Sequence, residues 1–331
     1  MKAIICRQFG SFEDLEYGEF PETALGLGEI RVQVKAAALG FAEMLMVQGG
    51  YQIKPPLPFV PGYDAAGVVV EVAPDVRGIA VGQRVVCGAT PGAYAERRVA
   101  SASAAFPLAD GVDFEAAAAH FGAYGTAYYA LAERAALQPG ETLVVHGAAG
   151  GVGLAAVEIG RELGARVIAS VGSDEKMALV RSYGAGEAFN YSHGVREPLK
   201  RLTQGRGADV IFDVVGGDVF EQSLYCVAWG GRILPIGFAG GRIPKIPANL
   251  PLLKGYSVVG VFWGASFTHD PPAMARVHRA LMDWLAAGRI RPHISAVLPL
   301  AQTVEGMRRI AGRKAQGKIL VVPGATTNAS P

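Results

Sequence analysis

Thr142-Leu143-Val144-Val145-His146-Gly147-Ala148-Ala149-Gly150-Gly151-Val152-Gly153 is the stretch that decides the fold. A β-rich run turns through glycines into the helical pattern Leu154–Leu163, and a second β-rich run, Arg166–Val171, follows. Glycines at such a turn let backbone amides approach an anion closely, and the helix dipole there favours negative charge. Counted from Ala148 the pattern is Ala-x-Gly-x-x-Gly, one position away from the usual dinucleotide fingerprint. A bland glycine-rich turn would satisfy the glycines alone. The strand before, the helix after and the second strand supply the context that a pyrophosphate site requires.

Outward from this turn, further β-rich runs fall at Ala188–Tyr191, Asp209–Val215, Arg232–Gly237 and Ser257–Phe262, with helical patterns between most of them. That rhythm predicts an α/β fold with a doubly wound parallel sheet. Upstream, residues 1 to about 122 read as strand and turn. Ile30, Val32 and Val34 alternate with polar residues along Glu29–Lys35, and Ala65–Val72 and Gln83–Cys87 are further strands. Pro74-Asp75 and Thr90-Pro91-Gly92 punctuate them, as in a small irregular β-rich barrel. Downstream, Asp270-Pro271-Pro272 marks a return to the first domain, followed by helices at Met274–Ala287 and Val304–Gly312 and a strand at Lys318–Val322. The expected domains are 1–122 with 268–331, and 123–267. The tail Gly324–Pro331 reads as frayed.

A chain of 331 residues suits two cores of ordinary size. Its formal net charge of +2, with interspersed signs, offers no footprint for nucleic acid or an anionic membrane, which leaves small-molecule chemistry. Cys6, Cys87 and Cys226 are too few and too scattered for a disulfide framework and fit a reducing cytosol. Met1–Phe9 reads as a strand rather than a signal sequence. The Ala-rich Phe114–Leu137 is interrupted by Glu115, His120, Glu133 and Arg134, short of the roughly 18 apolar residues a membrane span needs. It reads as buried helix, and the protein as soluble and cytoplasmic.

Cofactor choice is read at the end of the second strand, where NAD enzymes carry an acid for the ribose 2′-hydroxyl. Here the residues are Ala169-Ser170-Val171-Gly172-Ser173, with no carboxylate before Asp174. Ser173 and Lys176 offer a hydroxyl and a cation to a 2′-phosphate. Lys176 by itself equally suits a solvated helix position. The missing acid moves the balance to NADPH.

With these residues the chain resembles the zinc-free quinone oxidoreductases related to zeta-crystallin, within the medium-chain dehydrogenases/reductases. Ala148 to Gly153 is similar to their glycine motif, and Gly172-Ser173 with Lys176 and Tyr191 to their 2′-phosphate pocket. Gly40 to Glu43 through Gly50-Tyr51, Pro56 to Gly62, Gly122 to Ala127 and Gly317-Lys318 all have counterparts in order. The resemblance implies a GroES-like catalytic domain built from both chain ends, a Rossmann domain between them, and a cleft holding the nicotinamide. It also implies a homodimer through a Rossmann edge strand near Tyr256–Phe262, a segment that an interior strand would suit as well. The implied cofactor residues are Thr126, Ala149, Gly150, Gly151, Val152, Gly172, Ser173, Lys176, Tyr191, Val215, Gly237, Phe238, Phe262, Trp263 and Lys318. Gly40 replaces the family's usual Asn, Glu43 its Asp and Asp64 its Glu.

Zinc enzymes of the superfamily carry a Cys near position 40 and a Gly-His-Glu near 62, where this chain has Gly40 and Gly62-Tyr63-Asp64. None of the six histidines shows ligand spacing. His146 is the one near the expected cofactor, and packing is its favoured role. Without a Lewis acid, hydride transfer to an electron-poor acceptor is better suited than alcohol oxidation. Tyr51 is the candidate proton donor or hydrogen-bonding group, and Glu43 is the candidate to orient Tyr51 or the ribose; an aromatic packing residue and a surface carboxylate are the plainer readings. Three functions stay open: an NADPH:quinone reductase, an NADPH-dependent reductase of activated C=C bonds, and a non-catalytic NADPH-binding protein.

Overall fold

The apolar runs in the middle of the chain lie side by side in a six-stranded sheet, all of whose pairings are parallel. This computed structural model describes residues 1–324, so the tail beyond Gly324 lies outside the described residues. Across the sheet the order is Glu187–Asn190, Arg166–Val171, Thr142–His146, Ala208–Asp213, Val227–Pro235 and Ser257–Val258. The chain starts at Thr142–His146, walks to one edge, then crosses to the other side of its starting strand. That reversal makes the carboxyl ends of Thr142–His146 and Ala208–Asp213 the switch point, where doubly wound sheets bind ligands. Val144, Ile168, Leu199, Ile211, Phe220 and Ile233 are buried in one core cluster. Burial of each such side chain contributes about 1.5–3 kcal/mol, which is why an uninterrupted apolar strand is stable only between helical layers.

Ser257–Val258 is an edge strand and much shorter than the expected Ser257–Phe262. Its partner explains the early end. Ser257 and Val258 sit beside Arg232 and Ile233, Val259 donates to the Ile233 carbonyl (3.0 Å), and the partner strand then reaches Pro235, which has no amide hydrogen to extend the ladder. The chain instead enters the helix Trp263–His269. The expected helix Phe114–Leu137 is also divided, into Phe114–Tyr128 and a wider π-type segment Tyr129–Arg134.

The strands near the chain ends form a separate seven-stranded sheet centred on Glu29–Leu39, which pairs antiparallel with Ala65–Val72, Arg97–Ser101 and Lys318–Val322. Ile319 lies opposite Leu39, so the C-terminal strand is an integral member of the N-terminal sheet. Ile294–Pro299 adds a strand that the sequence did not reveal; Pro292 and Pro299 bracket it and obscure its pattern. Two compact units result: residues 1–122 with the described residues from 278 onward, and residues 123–277. The second border falls inside the helix Pro271–Ala286, later than the Pro-rich opening suggested. Pro271 and Pro272 occupy the first turn of that helix, where amide hydrogens would lack intrahelical partners anyway, so they start the helix without breaking the chain's course. Among the described residues no helix is long and apolar enough to cross a membrane.

Candidate active site

The turn after Thr142–His146 is shaped by two glycines that have no room for a side chain. Gly147 holds the left-handed φ of +65°, and a Cβ there would lie 2.6 Å from Val214 Cγ2. The tight-turn role therefore falls on Gly147, one residue before Ala148, the position that the sequence pattern suggested. Gly153 lies so close to the turn that a Cβ would be 2.2 Å from the Gly147 carbonyl oxygen and 2.8 Å from Ala148 Cα. Gly150 caps the twelve-residue helix Gly151–Glu162 with extended backbone (φ −78°, ψ 170°) and no side-chain cap. The first-turn amides of Gly151, Val152 and Gly153 are the groups a helix leaves without internal partners, which makes this end a fit for a pyrophosphate. Ala149 is buried in the same turn.

At the end of Arg166–Val171, Gly172 leaves space for Tyr191, whose hydroxyl would stand 2.9 Å from a Cβ at that position. Ser173 donates to Glu175 Oε1 (3.2 Å), and Lys176 closes the short helical turn Asp174–Lys176. Asp174, the first carboxylate after the strand, accepts from Asn190 Nδ2 (2.9 Å) and is thereby tied to the neighbouring strand's end. Gly172, Ser173, Lys176 and Tyr191 are thus gathered at the ends of two adjacent strands.

On the other side of the switch point, Asp213, a residue the sequence did not single out, sets the turn. Its Oδ1 accepts the amides of Val215 and Gly216, the latter at 2.8 Å. Gly216 has a φ of +73°, and a Cβ there would meet Phe238 Cδ1 at 3.0 Å. Val215, Gly237 and Phe238 are brought together by this turn. An Asp just ahead of Gly216-Gly217 at a strand end is a turn-forming signal that would have exposed it. Thr126 is half-buried on the helix Phe114–Tyr128. Phe262 is exposed, whereas Trp263 is buried, with Gly125 beneath its ring and Tyr129 and Phe267 at ring-centroid distances of 5.5 and 5.6 Å. His146 is buried between Ser170 Oγ at Nδ1 and Ser223 Oγ, 2.8 Å from Nε2, and burial lowers its pKa to about 3. It is a neutral packing residue.

Within the first unit, Glu43 and Asp64 form a buried carboxyl pair. Burial, then the Asp64 charge, raises the Glu43 pKa to about 7, against the opposing influence of Lys318 and of the Glu43 and Tyr63 amides. Asp64 is also raised by burial, with Lys318 and Arg98 opposing. Lys318, a cofactor residue by resemblance, is also a cation whose charge acts on both acids. The Tyr63 backbone is clamped, its amide donating to Glu43 Oε1 (3.4 Å) and its carbonyl accepting from Arg98 Nη1 (2.6 Å). Tyr51 stands beside it, ring centroids 6.3 Å apart, and burial followed by the Glu43 and Asp64 charges keeps its phenol protonated. Glycines again make room: a Cβ at Gly40 would lie 2.5 Å from Glu43 Oε2, and one at Gly122 2.3 Å from Asp64 Oδ2. The missing Asn side chain at position 40 is thus matched by the longer acid at position 43.

Among the described residues no group of three or more His, Cys, Asp or Glu side chains could hold a metal ion.

Comparison with known proteins agrees with both units. Residues 26–137 match the alcohol dehydrogenase GroES-like domain, and residues 151–279 match the zinc-binding dehydrogenase domain. A quinone oxidoreductase-like protein 2 homolog of Nematostella vectensis is 40% identical over 97% of this chain and 88% of its own length. The quinone oxidoreductase of Pseudomonas aeruginosa is 34% identical, covering 97% of this chain and 99% of its own. Among solved structures, Escherichia coli quinone oxidoreductase complexed with NADPH superposes with a TM-score of 0.92 at 30% identity, over 98% of this chain and 100% of that one. With the doubly wound sheet, the glycine turn and the GroES-like unit all matched over nearly the full length, this chain belongs to the quinone oxidoreductase family of medium-chain oxidoreductases.

Proposed function

We propose that this oxidoreductase uses NADPH to reduce quinones or similar conjugated carbonyl acceptors, without zinc. The observation that carries the reading is the pairing of a side-chain-free phosphate turn with a strand end, Val171-Gly172-Ser173, where no acid stands ready for a ribose 2′-hydroxyl. The amides of Gly150 to Gly153 hold the pyrophosphate, with Ala149 and Val152 beside it. Ser173, Lys176 and Tyr191 take the 2′-phosphate, a dianion that Lys176 serves as a point charge. Thr126, Val215, Gly237, Phe238, Phe262, Trp263 and Lys318 complete the nucleotide's surroundings. NADPH supplies the hydride. Tyr51, protonated throughout the neutral range, donates a hydrogen bond and then a proton to the acceptor oxygen that gains negative charge, and Glu43 holds Tyr51 in place. Hydride and proton together convert a quinone to its hydroquinone.

The Tyr51 phenol also suits protonation of a carbon, so reduction of activated C=C bonds in enones or enoyl thioesters is the second reading. NADPH oxidation after chelator treatment, followed with a benzoquinone, an enone and a crotonyl thioester, separates the readings. The proposal expects fastest turnover of the quinone; turnover of the thioester alone overturns it in favour of the second. Tight NADPH binding with no turnover of any acceptor favours a non-catalytic binding protein. We further propose a cytoplasmic homodimer, supported by three free, buried cysteines and by the edge strand Ser257–Val258 with Trp229, Leu252 and Leu253 strongly exposed nearby in sequence or pairing.

A further inference from the structure

Asp213 is fully buried at the end of the strand beside Thr142–His146. One of its oxygens accepts the Val215 and Gly216 amides, and its carbonyl accepts those of Ile236 (2.8 Å) and Gly237 (3.3 Å). A single residue therefore sets the turns leaving two adjacent strands. Further backbone bonds join those turns: Ala239 to the Val214 carbonyl (3.0 Å), Gly240 to that of Val215 (2.7 Å) and Gly217 to that of Arg242 (2.9 Å). The remaining oxygen, Oδ2, is buried and meets no donor among the described residues. His146 lies opposite in register, but both its ring nitrogens are engaged by Ser170 and Ser223. An interior oxygen left without a partner costs stability, so its retention needs a reason other than packing.

A doubly wound sheet seats one half of a dinucleotide on each side of its switch point. Gly172 and Ser173 lie on the side that reads the adenosine ribose, which leaves the turns held by Asp213 to the nicotinamide half. We propose that Asp213 is a positioning residue for the pyridine nucleotide, fixing the Val215, Gly237 and Phe238 wall against which the nicotinamide half lies. This inference rests on the nucleotide reading above. The two bonds to Oδ1 help hold the left-handed backbone of Gly216, against which Phe238 is seated.

The test compares NADPH with 2′-phospho-ADP-ribose, which lacks nicotinamide, by fluorescence or calorimetric titration. Asp213→Leu removes the acceptor at similar volume and weakens NADPH about 10-fold or more while leaving 2′-phospho-ADP-ribose within about 2-fold. Asp213→Asn keeps an acceptor oxygen and stays within about 3-fold of the parent for both ligands. Equal losses for both ligands in Asp213→Leu, or no loss for NADPH, overturn the proposal. Hydrogen exchange in the unaltered protein decides the matter even if Asp213→Leu fails to fold. NADPH then slows exchange at the Val215 and Gly216 amides and 2′-phospho-ADP-ribose does not; equal effects of the two overturn it. Absence of any NADPH binding by the unaltered protein instead overturns the nucleotide reading itself, and this inference with it.

Discussion

Replacing Gly40 by Ala places a methyl carbon 2.5 Å from Glu43 Oε2 and 3.3 Å from its Cδ. Ordinary contact begins near 3.4 Å. The carboxyl must therefore retreat by about 0.9 Å, an overlap deep into the repulsive wall. The far end of a long side chain usually yields cheaply, but Glu43 is only 4% exposed and cannot swing into solvent. Retreat also withdraws the acceptor of the Tyr63 amide. Overpacking of this kind costs about 1–3 kcal/mol, or a fall in Tm of roughly 3–10 °C for a unit of this size. Glu43→Asp shortens the side chain by one methylene and draws the carboxyl back, so the Gly40→Ala, Glu43→Asp double variant is more stable than the two single losses predict. The coupling, measured by urea unfolding of all four proteins, should be at least about 1 kcal/mol. Additivity within about 0.5 kcal/mol would refute the idea that the two positions share one space.

Three further outcomes follow from the same geometry. Gly153→Ala forces the helix Gly151–Glu162 away from the Gly147 carbonyl and, by displacing the amides that face the anion, weakens NADPH by about 10-fold or more in a binding titration; unchanged affinity would remove the anion role of that turn. Lys176→Ala weakens NADPH by about 10-fold or more and leaves NADH nearly unaffected; equal losses would contradict a 2′-phosphate contact. Glu43 has a folded pKa of about 7, above the unfolded value near 4.5, so its contribution to stability is complete below pH 4.5 and is lost as pH rises through 7. Glu43→Gln cannot ionise, and its stability relative to the parent therefore improves from pH 4.5 to pH 8; a constant difference in unfolding free energy across that range would contradict the raised pKa.

Runs such as Thr142–His146, Arg166–Val171 and Lys318–Val322 occupy the same bounds in sequence pattern and structure, because buried apolar runs ended by glycine or proline leave little freedom. Ser257–Val258 stops early for a reason held by another strand, the missing amide hydrogen of Pro235. Helices such as Phe41–Val47 and Trp263–His269 are too short to show a period. At the candidate site the glycine turn was legible, being local. The grouping of Glu43, Asp64, Arg98 and Lys318 was not, since these residues come from elements distant in sequence and meet only through sheet register. Asp213 was hidden similarly: its local sequence marks a turn, but its hold on the turn at Gly237 needs the neighbouring strand.

Equilibrium titration of chelator-treated protein with NADPH and NADH tests the central claim most directly. Saturable binding of one nucleotide per chain, with NADPH clearly the tighter, is the predicted result. No affinity for either nucleotide, or binding that appears only when zinc is restored, would contradict it.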